Sequence, residues 1–210
     1  MEFRNLTAGI SKKVMIKPRL QIRYPQLTGL PNRKAQMVMN DRILRLVYGL
    51  IQGQGYVQDP KIEIAGTYDI KLNGDGLISI VFQNYAYSPG AAHGLTVQKS
   101  LTMDLWDGRE YRFHDLFREN SGYKEKIDAI LRRQIEEHDV PILESTPFKG
   151  VGPNQDYYLT PNELVVYFQL YEYTPYAYGF PTFPIPFSEI SDIAAPGGPI
   201  ARLEQVAPLM

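Results

Sequence analysis

Apolar and polar side chains alternate strictly in the segment RLQIRY, residues 19–24. A period of two is typical of a strand that has one face in the core and the other in water. Residues 6–17 also read as extended, so the sequence predicts two strands near the start of the chain. Pro25 and the cluster at 29–31 predict the end of the second strand, because proline and glycine interrupt regular structure.

Two segments have the longer period of an amphipathic helix. The first extends from residue 32 to 52, before Gly53, and its predicted buried face is formed by Ala35, Met39, Ile43, Leu46, Val47 and Leu50. The second begins after Ser121, which can serve as its N-cap, and ends before Pro141. Its predicted face is formed by Tyr123, Ile127, Ile130, Leu131 and Ile135.

The remaining strands are predicted mainly in pairs, joined by residues that favour tight turns. The pairs are 61–72 with 77–87, 96–106 with 109–113, and 157–160 with 163–170. Segments 88–94 and 144–154 are predicted loops. This order of strands and helices predicts an α+β fold, in which two main helices pack on one face of a mostly antiparallel sheet.

Composition narrows the possible chemistry. The 210 residues carry a formal net charge of −1, and no basic stripe is evident, so a nucleic acid is not an expected partner. The lack of cysteine excludes disulfides, thiol nucleophiles and zinc–thiolate sites. No apolar run approaches the roughly 20 residues that span a bilayer, and the N-terminus has no signal-peptide core. We therefore expect either a cytoplasmic protein or a chain without its targeting segment.

The sequence offers little support for catalysis at His93. This residue lies in the loop SPGAAHG, residues 88–94, together with Ser88. A Ser–His pair needs an orienting acid, and its nucleophile usually lies at a sharp turn from strand to helix. We expect instead that the His93 ring bonds neighbouring backbone, and that Gly90 and Gly94 adopt conformations that favour glycine.

The other two histidines also have structural explanations. Asp115, which follows His114, is expected to cap a short helical turn in the segment DLF. His138 lies beside acidic residues at the end of the second predicted helix, where consecutive side chains point in different directions. No metal site is predicted there, and no phosphate-binding loop or dinucleotide fingerprint predicts a cofactor.

The segment YEYTPYAYGFPTFPIPF, residues 171–187, is unusually rich in aromatic side chains and proline. Most of its residues after Gly179 are explained as an edge strand that tolerates proline, with Phe183, Ile185 and Phe187 facing the core. Tyr171 and Tyr173 are assigned to the end of the preceding strand. The middle, residues 174–179, interrupts both periods and predicts a protruding loop. Tyrosines in such a loop offer a flat face and a hydroxyl group at little entropic cost, which is typical of binding surfaces.

These features together resemble a known family. The chain combines the loop SPGAAHG, the segment LTMDLWDGREYRFHDLF and a tyrosine-rich loop that ends in FPIPFSEI. It is similar to the extracytoplasmic domain of RsiV-like lysozyme-sensing anti-sigma factors and to the N-terminal domain of PdaC-like peptidoglycan deacetylases. The resemblance covers about residues 5 to 193. It implies a PdaC-like half at 1–90, an RsiV-like half at 91–193 and a tail at 194–210, within one compact unit.

The resemblance also implies where and what the protein binds. Members of this family are usually secreted or membrane-anchored, so we expect an extracytoplasmic protein that meets the membrane only through a segment absent from this chain. Lysozyme, or cell-wall glycan, is the expected partner. The predicted binding residues are Ser88, Pro89, Gly90 and His93 in one loop, and Glu172, Pro175, Tyr176 and Tyr178 in the other. No catalytic residue is predicted.

The sequence therefore favours a non-enzymatic recognition domain. Two alternatives remain open. The chain could be an enzyme that acts on peptidoglycan through His93 and a nearby carboxylate, or an accessory domain whose partner segment is absent. Activity that is lost in a His93→Ala variant with its fold intact would favour the enzyme.

Overall fold

The computed structural model describes residues 6–59 and 61–205. The chain divides into two compact units, Met1–Glu110 and Tyr111–Met210. The strands form two separate sheets, one of five strands and one of three, and each unit has one main helix. The predicted α+β class, with mostly antiparallel strands and two main helices, is confirmed, but the strands form two sheets where a single sheet was expected. The predicted division after residue 90, between a PdaC-like half and an RsiV-like half, stays a prediction.

The first unit is built on the five-stranded sheet. Its strands are β1 (Gly9–Lys17), β2 (Leu20–Thr28), β3 (Glu63–Gly74), β4 (Leu77–Tyr87) and β5 (Leu95–Asp104). They lie side by side in chain order, and all neighbours are antiparallel except β2 and β3. The turn between β3 and β4 places Asp75 at φ 51° and Gly76 at φ 73°, the left-handed conformations that a tight hairpin requires.

Helix α1 (Arg33–Gly53) connects β2 to the parallel strand β3. The side chain of Asn32 accepts a hydrogen bond from the amide of Ala35 at 3.1 Å and caps the helix. Six residues of α1 are buried in the core: Ala35, Met39, Ile43, Val47, Leu50 and Ile51. The predicted helix and its apolar face are thus confirmed, although Leu46 is only partly buried.

Strand β2 continues past Pro25, so the predicted end of the strand there is wrong. β2 pairs with β3 only over Leu20–Ile22, and beyond that point no strand of the described residues lies along its second edge. Proline is tolerated there because no ladder partner needs its missing donor. Asn40 of α1 takes the place of a strand at Leu27: its side chain accepts from the Leu27 amide at 2.8 Å and donates to the Leu27 carbonyl at 2.9 Å.

The predicted strand at 109–113 is not formed, and a single antiparallel bridge joins Met103 to Glu110. The turn before it is tight, since Gly108 has φ 77° and its amide donates to the carbonyl of Asp104 at 2.9 Å. The apolar residues of this segment have another use. Tyr111 and Phe113 belong to the second unit, and both are buried. The Phe113 ring contacts the rings of Phe117 and Tyr157 in the same unit.

The second unit combines α2 (Tyr123–Glu137) with a three-stranded antiparallel sheet. Gly122, at φ 68°, is the N-cap of α2 in place of the predicted Ser121, and it provides no side-chain cap. A left-handed residue brings the chain into the helix, and glycine adopts that conformation without strain. Lys126 of α2 donates to the Asp192 carboxylate, and this hydrogen bond lowers the pKa of Asp192 below its ordinary value.

The three strands are β6 (Tyr157–Leu159), β7 (Glu163–Tyr167) and β8 (Thr182–Pro186). β8 is an edge strand: Phe183 and Ile185 are buried, whereas Pro184 and Pro186 are exposed. This confirms the prediction for the second half of the aromatic segment. β7 ends at Tyr167, however, so the assignment of Tyr171 and Tyr173 to its end is wrong.

Part of the predicted tail forms a short helix, α3 (Pro199–Glu204), that local patterning did not indicate. Proline stands at its first turn, where its missing amide donor is not needed. Ile200 and Leu203 are buried. The last residues of the tail, 206–210, lie outside the described residues.

Candidate functional site

The Gly-rich loop, residues 88–94, joins the adjacent strands β4 and β5 of the first unit. Ser88, Pro89, Gly90 and His93 are all exposed, as a binding loop requires. The amide of Ala91 donates to the carbonyl of Ser88 at 3.0 Å. Gly90 has φ 93°, so the expected left-handed conformation is confirmed at this position.

Gly94 has a different role from the one expected, since its φ is not in the left-handed region. A Cβ atom at this position would lie 2.3 Å from Cζ of Tyr85 and 2.4 Å from its hydroxyl oxygen. Only glycine therefore allows the Tyr85 ring to lie against the end of the loop. Close approach of a side chain, and not a special dihedral, explains this residue.

The His93 ring lies against the backbone of its own loop. Its Nδ1 atom is 2.9 Å from the carbonyl oxygen of Gly94, a hydrogen bond that requires the proton on Nδ1. The expected bond to neighbouring backbone is thus confirmed. In the tautomer with Nδ1 protonated, this contact holds the ring at the point where the loop enters β5.

The aromatic loop, residues 171–179, lies between β7 and β8 of the second unit. It begins with Tyr171 at φ 64°, an uncommon conformation for an aromatic residue. The Glu172 carboxylate accepts from the amide of Gln169 at 2.8 Å, and the Glu172 amide donates to the carbonyl of Gln169 at 3.2 Å. Gln169 also donates through Nε2 to the Asp156 carboxylate at 2.9 Å. Glu172, a predicted binding residue, therefore also closes the turn that starts the loop.

The tip of the loop is a single 3₁₀ turn, Tyr176–Tyr178, preceded by Pro175. Two backbone bonds hold the turn, from Tyr178 to the carbonyl of Pro175 at 3.0 Å and from Gly179 to the carbonyl of Tyr176 at 3.1 Å. Gly179 then closes the loop at φ 82°. Pro175 and Tyr178 are exposed, and Tyr176 is half-buried. The predicted loop thus contains exposed residues, although Thr174 at its start is buried.

We use the name aromatic platform for three accessible tyrosines of this loop: Tyr171, Tyr176 and Tyr178. Tyr171 is 48% exposed and Tyr178 is 45% exposed. The rings of Tyr171 and Tyr176 lie 5.4 Å apart between centroids, with an angle of 31° between their planes. The sequence did not place Tyr171 in the site, because no local pattern indicates a tyrosine with positive φ.

Tyr173 of the same loop belongs to an aromatic cluster with Phe168, which is buried, and Phe148, which is half-buried. The rings of Phe168 and Tyr173 are 4.9 Å apart, and Phe148 lies 5.8 Å and 5.4 Å from them, all edge to face. The guanidinium group of Arg132 lies 5.1 Å from the centroid of Phe148. Tyr173 is also fixed through its carbonyl, which accepts from the amide of Leu143 at 2.8 Å. Packed rings of this kind give the loop a rigid base.

The predicted binding residues fall into two groups, one in each unit. Ser88, Pro89, Gly90 and His93 share the Gly-rich loop, whereas Glu172, Pro175, Tyr176 and Tyr178 share the aromatic loop. Each group is a candidate surface of its own unit.

The remaining polar candidates are held by structural hydrogen bonds. His114 Nδ1 lies 3.1 Å from the carbonyl oxygen of Pro153, and Asp115 accepts from the amide of Arg112 at 2.8 Å. His138 caps the C-terminus of α2. Within residues 6–59 and 61–205, no cluster of three or more histidines and carboxylates could hold a metal ion. The same residues contain no helix with the length and apolar character needed to cross a bilayer.

Comparison with known proteins adds a family match. Residues 114–188 match the family described as "Protein of unknown function (DUF3298)". The structure is similar to that of a DUF3298 family member from Bacteroides fragilis, with a TM-score of 0.67 and 16% identity over 94% of this chain and 96% of the other. A DUF3298 family protein from Pseudomonas aeruginosa also has a TM-score of 0.67, with 14% identity over 96% and 98% of the two chains. No curated protein matches this chain.

The DUF3298 match lies in the second unit and includes α2, the three-stranded sheet and the whole aromatic loop. The Gly-rich loop lies outside it. The two similar structures extend the shared fold to nearly the whole chain. The finer likeness to RsiV-like and PdaC-like proteins stays a prediction.

Proposed function

We propose that this protein is a non-enzymatic recognition domain that acts outside the cytoplasm and binds its ligand through the aromatic platform. The observation that carries this proposal is the exposure of Tyr171 and Tyr178 in a loop whose Tyr173 is buried against Phe168. Large aromatic side chains on a surface are costly to leave in water, and they are common where another molecule covers them.

The platform has the physical properties of a preformed binding surface. The tip of its loop is held by backbone hydrogen bonds, and Tyr173 of the same loop packs edge to face against Phe168. Few conformations are therefore lost when a ligand binds, which lowers the entropic cost of association. Tyrosine adds a hydroxyl group to a flat apolar ring, so one side chain contacts both apolar and polar parts of a ligand.

The resemblance to RsiV-like and PdaC-like domains supports a ligand from the cell wall. Lysozyme, a protein directed at the wall, is the first candidate, and wall glycan is the second. Tyrosines are common in protein hot spots, and a flat ring also packs against the face of a sugar. The aromatic platform suits both ligands, so the test must separate them.

Isothermal titration calorimetry with lysozyme and, separately, with purified muropeptides tests the proposal. Tyr176→Ala and Tyr178→Ala should each weaken binding of the true ligand about 30-fold, as expected for hot-spot residues that contribute about 2 kcal/mol. Tyr48→Ala is the matched control, since Tyr48 is 52% exposed on α1 of the other unit. Circular dichroism verifies that every variant is folded.

Failure of the wild-type protein to bind either ligand would contradict the proposal, as would equal binding by wild type and both platform variants. The enzymatic alternative makes a different prediction. If His93 acted on peptidoglycan, the wild-type protein would change the muropeptide profile on chromatography. A folded His93→Ala variant would not, whereas Tyr178→Ala would keep that activity.

A further inference from the structure

Positive charge is concentrated near the start of the chain. Residues 6–40 contain seven lysines and arginines and no acidic residue, although the whole chain has a formal net charge of −1. Five of the seven lie in the hairpin formed by β1 and β2, which we call the basic hairpin: Lys12, Lys13, Lys17, Arg19 and Arg23. All five are exposed. The overall net charge therefore hides a strongly basic region, which the expectation of no basic stripe overlooked.

The same hairpin exposes apolar side chains. Ile16 is 74% exposed, and Val14 and Ile10 are also exposed. Lys12, Val14 and Ile16 occupy alternate positions of β1 and so project from one face. They pair across the hairpin with Pro25, Arg23 and Gln21. One face of the basic hairpin thus combines positive charge with exposed apolar surface, and Ile16 lies next to its tip, Lys17–Arg19.

The lysines of the hairpin are not neutralised by neighbours. In the part of the chain that the structure describes, no ion pair joins Lys12, Lys13 or Lys17 to an acidic residue. Glu63 is the acidic residue that shares a shallow groove of about 410 Å³ with Ile16 and Lys17. Because Lys12, Lys13 and Lys17 have no ion pair among the described residues, the hairpin stays positively charged.

We propose that the basic hairpin docks this domain on an anionic lipid surface. Lys12 and Arg23, which share the face of Ile16, would lie at the phosphate headgroups, and Ile16 would enter the layer beneath them, as amphipathic basic segments do at membrane interfaces. Lys13 and Lys17 project from the opposite face of the same edge strand and would add to the attraction at longer range. A second copy of the chain is a less suitable partner for the basic hairpin, because lysines on an edge strand disfavour pairing with an identical strand. A soluble polyanion would neutralise the charge and leave Ile16 in water.

Co-sedimentation with lipid vesicles tests this proposal. The wild-type protein should bind vesicles of phosphatidylcholine and phosphatidylglycerol in equal parts, and should not bind vesicles of phosphatidylcholine alone. Replacing Lys12, Lys13 and Lys17 together by glutamine should weaken binding about 100-fold, since each basic residue near an anionic surface contributes about a fivefold change. The matched control replaces Lys61, Lys124 and Lys149 by glutamine, which are also exposed and change the net charge equally.

A second pair of variants tests the apolar contact. Ile16→Ser should weaken vesicle binding several-fold, whereas Val57→Ser, at a site that is 75% exposed outside the hairpin, should leave it unchanged. Inorganic polyphosphate serves as the soluble anion. Three outcomes would overturn the proposal: equal binding to both vesicle types, no binding to either, or binding to polyphosphate as tight as to vesicles with no effect of Ile16→Ser.

Discussion

The two candidate loops are held in place in different ways. The Gly-rich loop is fixed mainly by its own backbone, through the Ala91–Ser88 hydrogen bond and the contact of His93 with the Gly94 carbonyl. The aromatic loop also has a backbone turn at its tip, but its base is a cluster of packed rings that includes Phe168 and Tyr173. One loop is positioned by glycine and hydrogen bonds, and the other by buried side chains.

This difference determines what each loop can offer a ligand. A loop positioned by glycines and short side chains presents mostly backbone groups and little apolar area. A loop positioned by packing can present large rings without losing its shape, because the rings beneath it occupy defined places in the core. We therefore expect the aromatic loop to dominate binding, and the following variants test that expectation.

Removal of the base of the aromatic loop should have the largest effect. Phe168 is 2% exposed and its ring contacts Phe148, Tyr173 and Phe183. Phe168→Ala should lower the free energy of unfolding by about 3–5 kcal/mol, through lost burial and the cavity that remains. Urea denaturation followed by circular dichroism measures this change. Phe168→Leu keeps much of the volume and should cost less than half as much; equal losses in both variants would mean that ring packing is not what holds the loop.

Each loop contains a glycine with positive φ, which allows a matched test of backbone strain. Gly90 and Gly179 have φ 93° and 82°, and a Cβ atom at either position would meet no atom within 4 Å. Alanine should therefore cost about 1–3 kcal/mol at each site through conformation alone. Gly152→Ala is the control, because that site is equally open and lacks a positive φ.

Thermal unfolding of these three variants gives the stabilities, and calorimetry gives the binding. If the aromatic loop dominates recognition, Gly179→Ala should also weaken ligand binding, whereas Gly90→Ala should not. Weakened binding in Gly90→Ala alone would reverse the comparison and move the site to the Gly-rich loop.

Local periodicity was sufficient to predict much of the fold. The face of α1 and the alternation of β8 follow directly from apolar spacing, and the exposed prolines of β8 fit an edge strand. Periodicity does not specify which strand pairs with which. The segment at 109–113 alternates like a strand, yet Tyr111 and Phe113 serve the core of the second unit. The division into two sheets depends on such long-range packing, so it could not be read from the pattern.

The candidate site was predictable only in part, for a related reason. Proline and glycine indicated a loop at 174–179, and the tyrosines indicated exposed aromatic surface. The contribution of Tyr171 depends on its positive φ and on its contact with the Tyr176 ring. The support from Phe148 comes from a segment that reads only as loop. Both are tertiary effects that single-sequence patterns do not encode.

The smallest effects are expected from substitutions of Glu172, which test whether the carboxylate or the tyrosine rings of the aromatic loop bind the ligand. Glu172 was predicted as a binding residue, and lysozyme, one candidate ligand, is strongly basic. The Glu172 carboxylate already accepts a hydrogen bond from the amide of Gln169. Glu172→Gln retains an acceptor at that position, so it should change the free energy of unfolding by less than about 0.5 kcal/mol, whereas Glu172→Ala should cost about 1 kcal/mol.

If the aromatic platform, and not the Glu172 charge, contacts the ligand, Glu172→Gln should also affect binding less than Glu172→Ala does. Glu172→Gln should then change the affinity for lysozyme by no more than about twofold, because exposed charges at the rim of an interface contribute little. Calorimetry at low and high salt tests this. A loss in Glu172→Gln comparable to that in Tyr178→Ala, with a weaker dependence of affinity on salt, would assign recognition to the carboxylate and leave the tyrosines as its structural support.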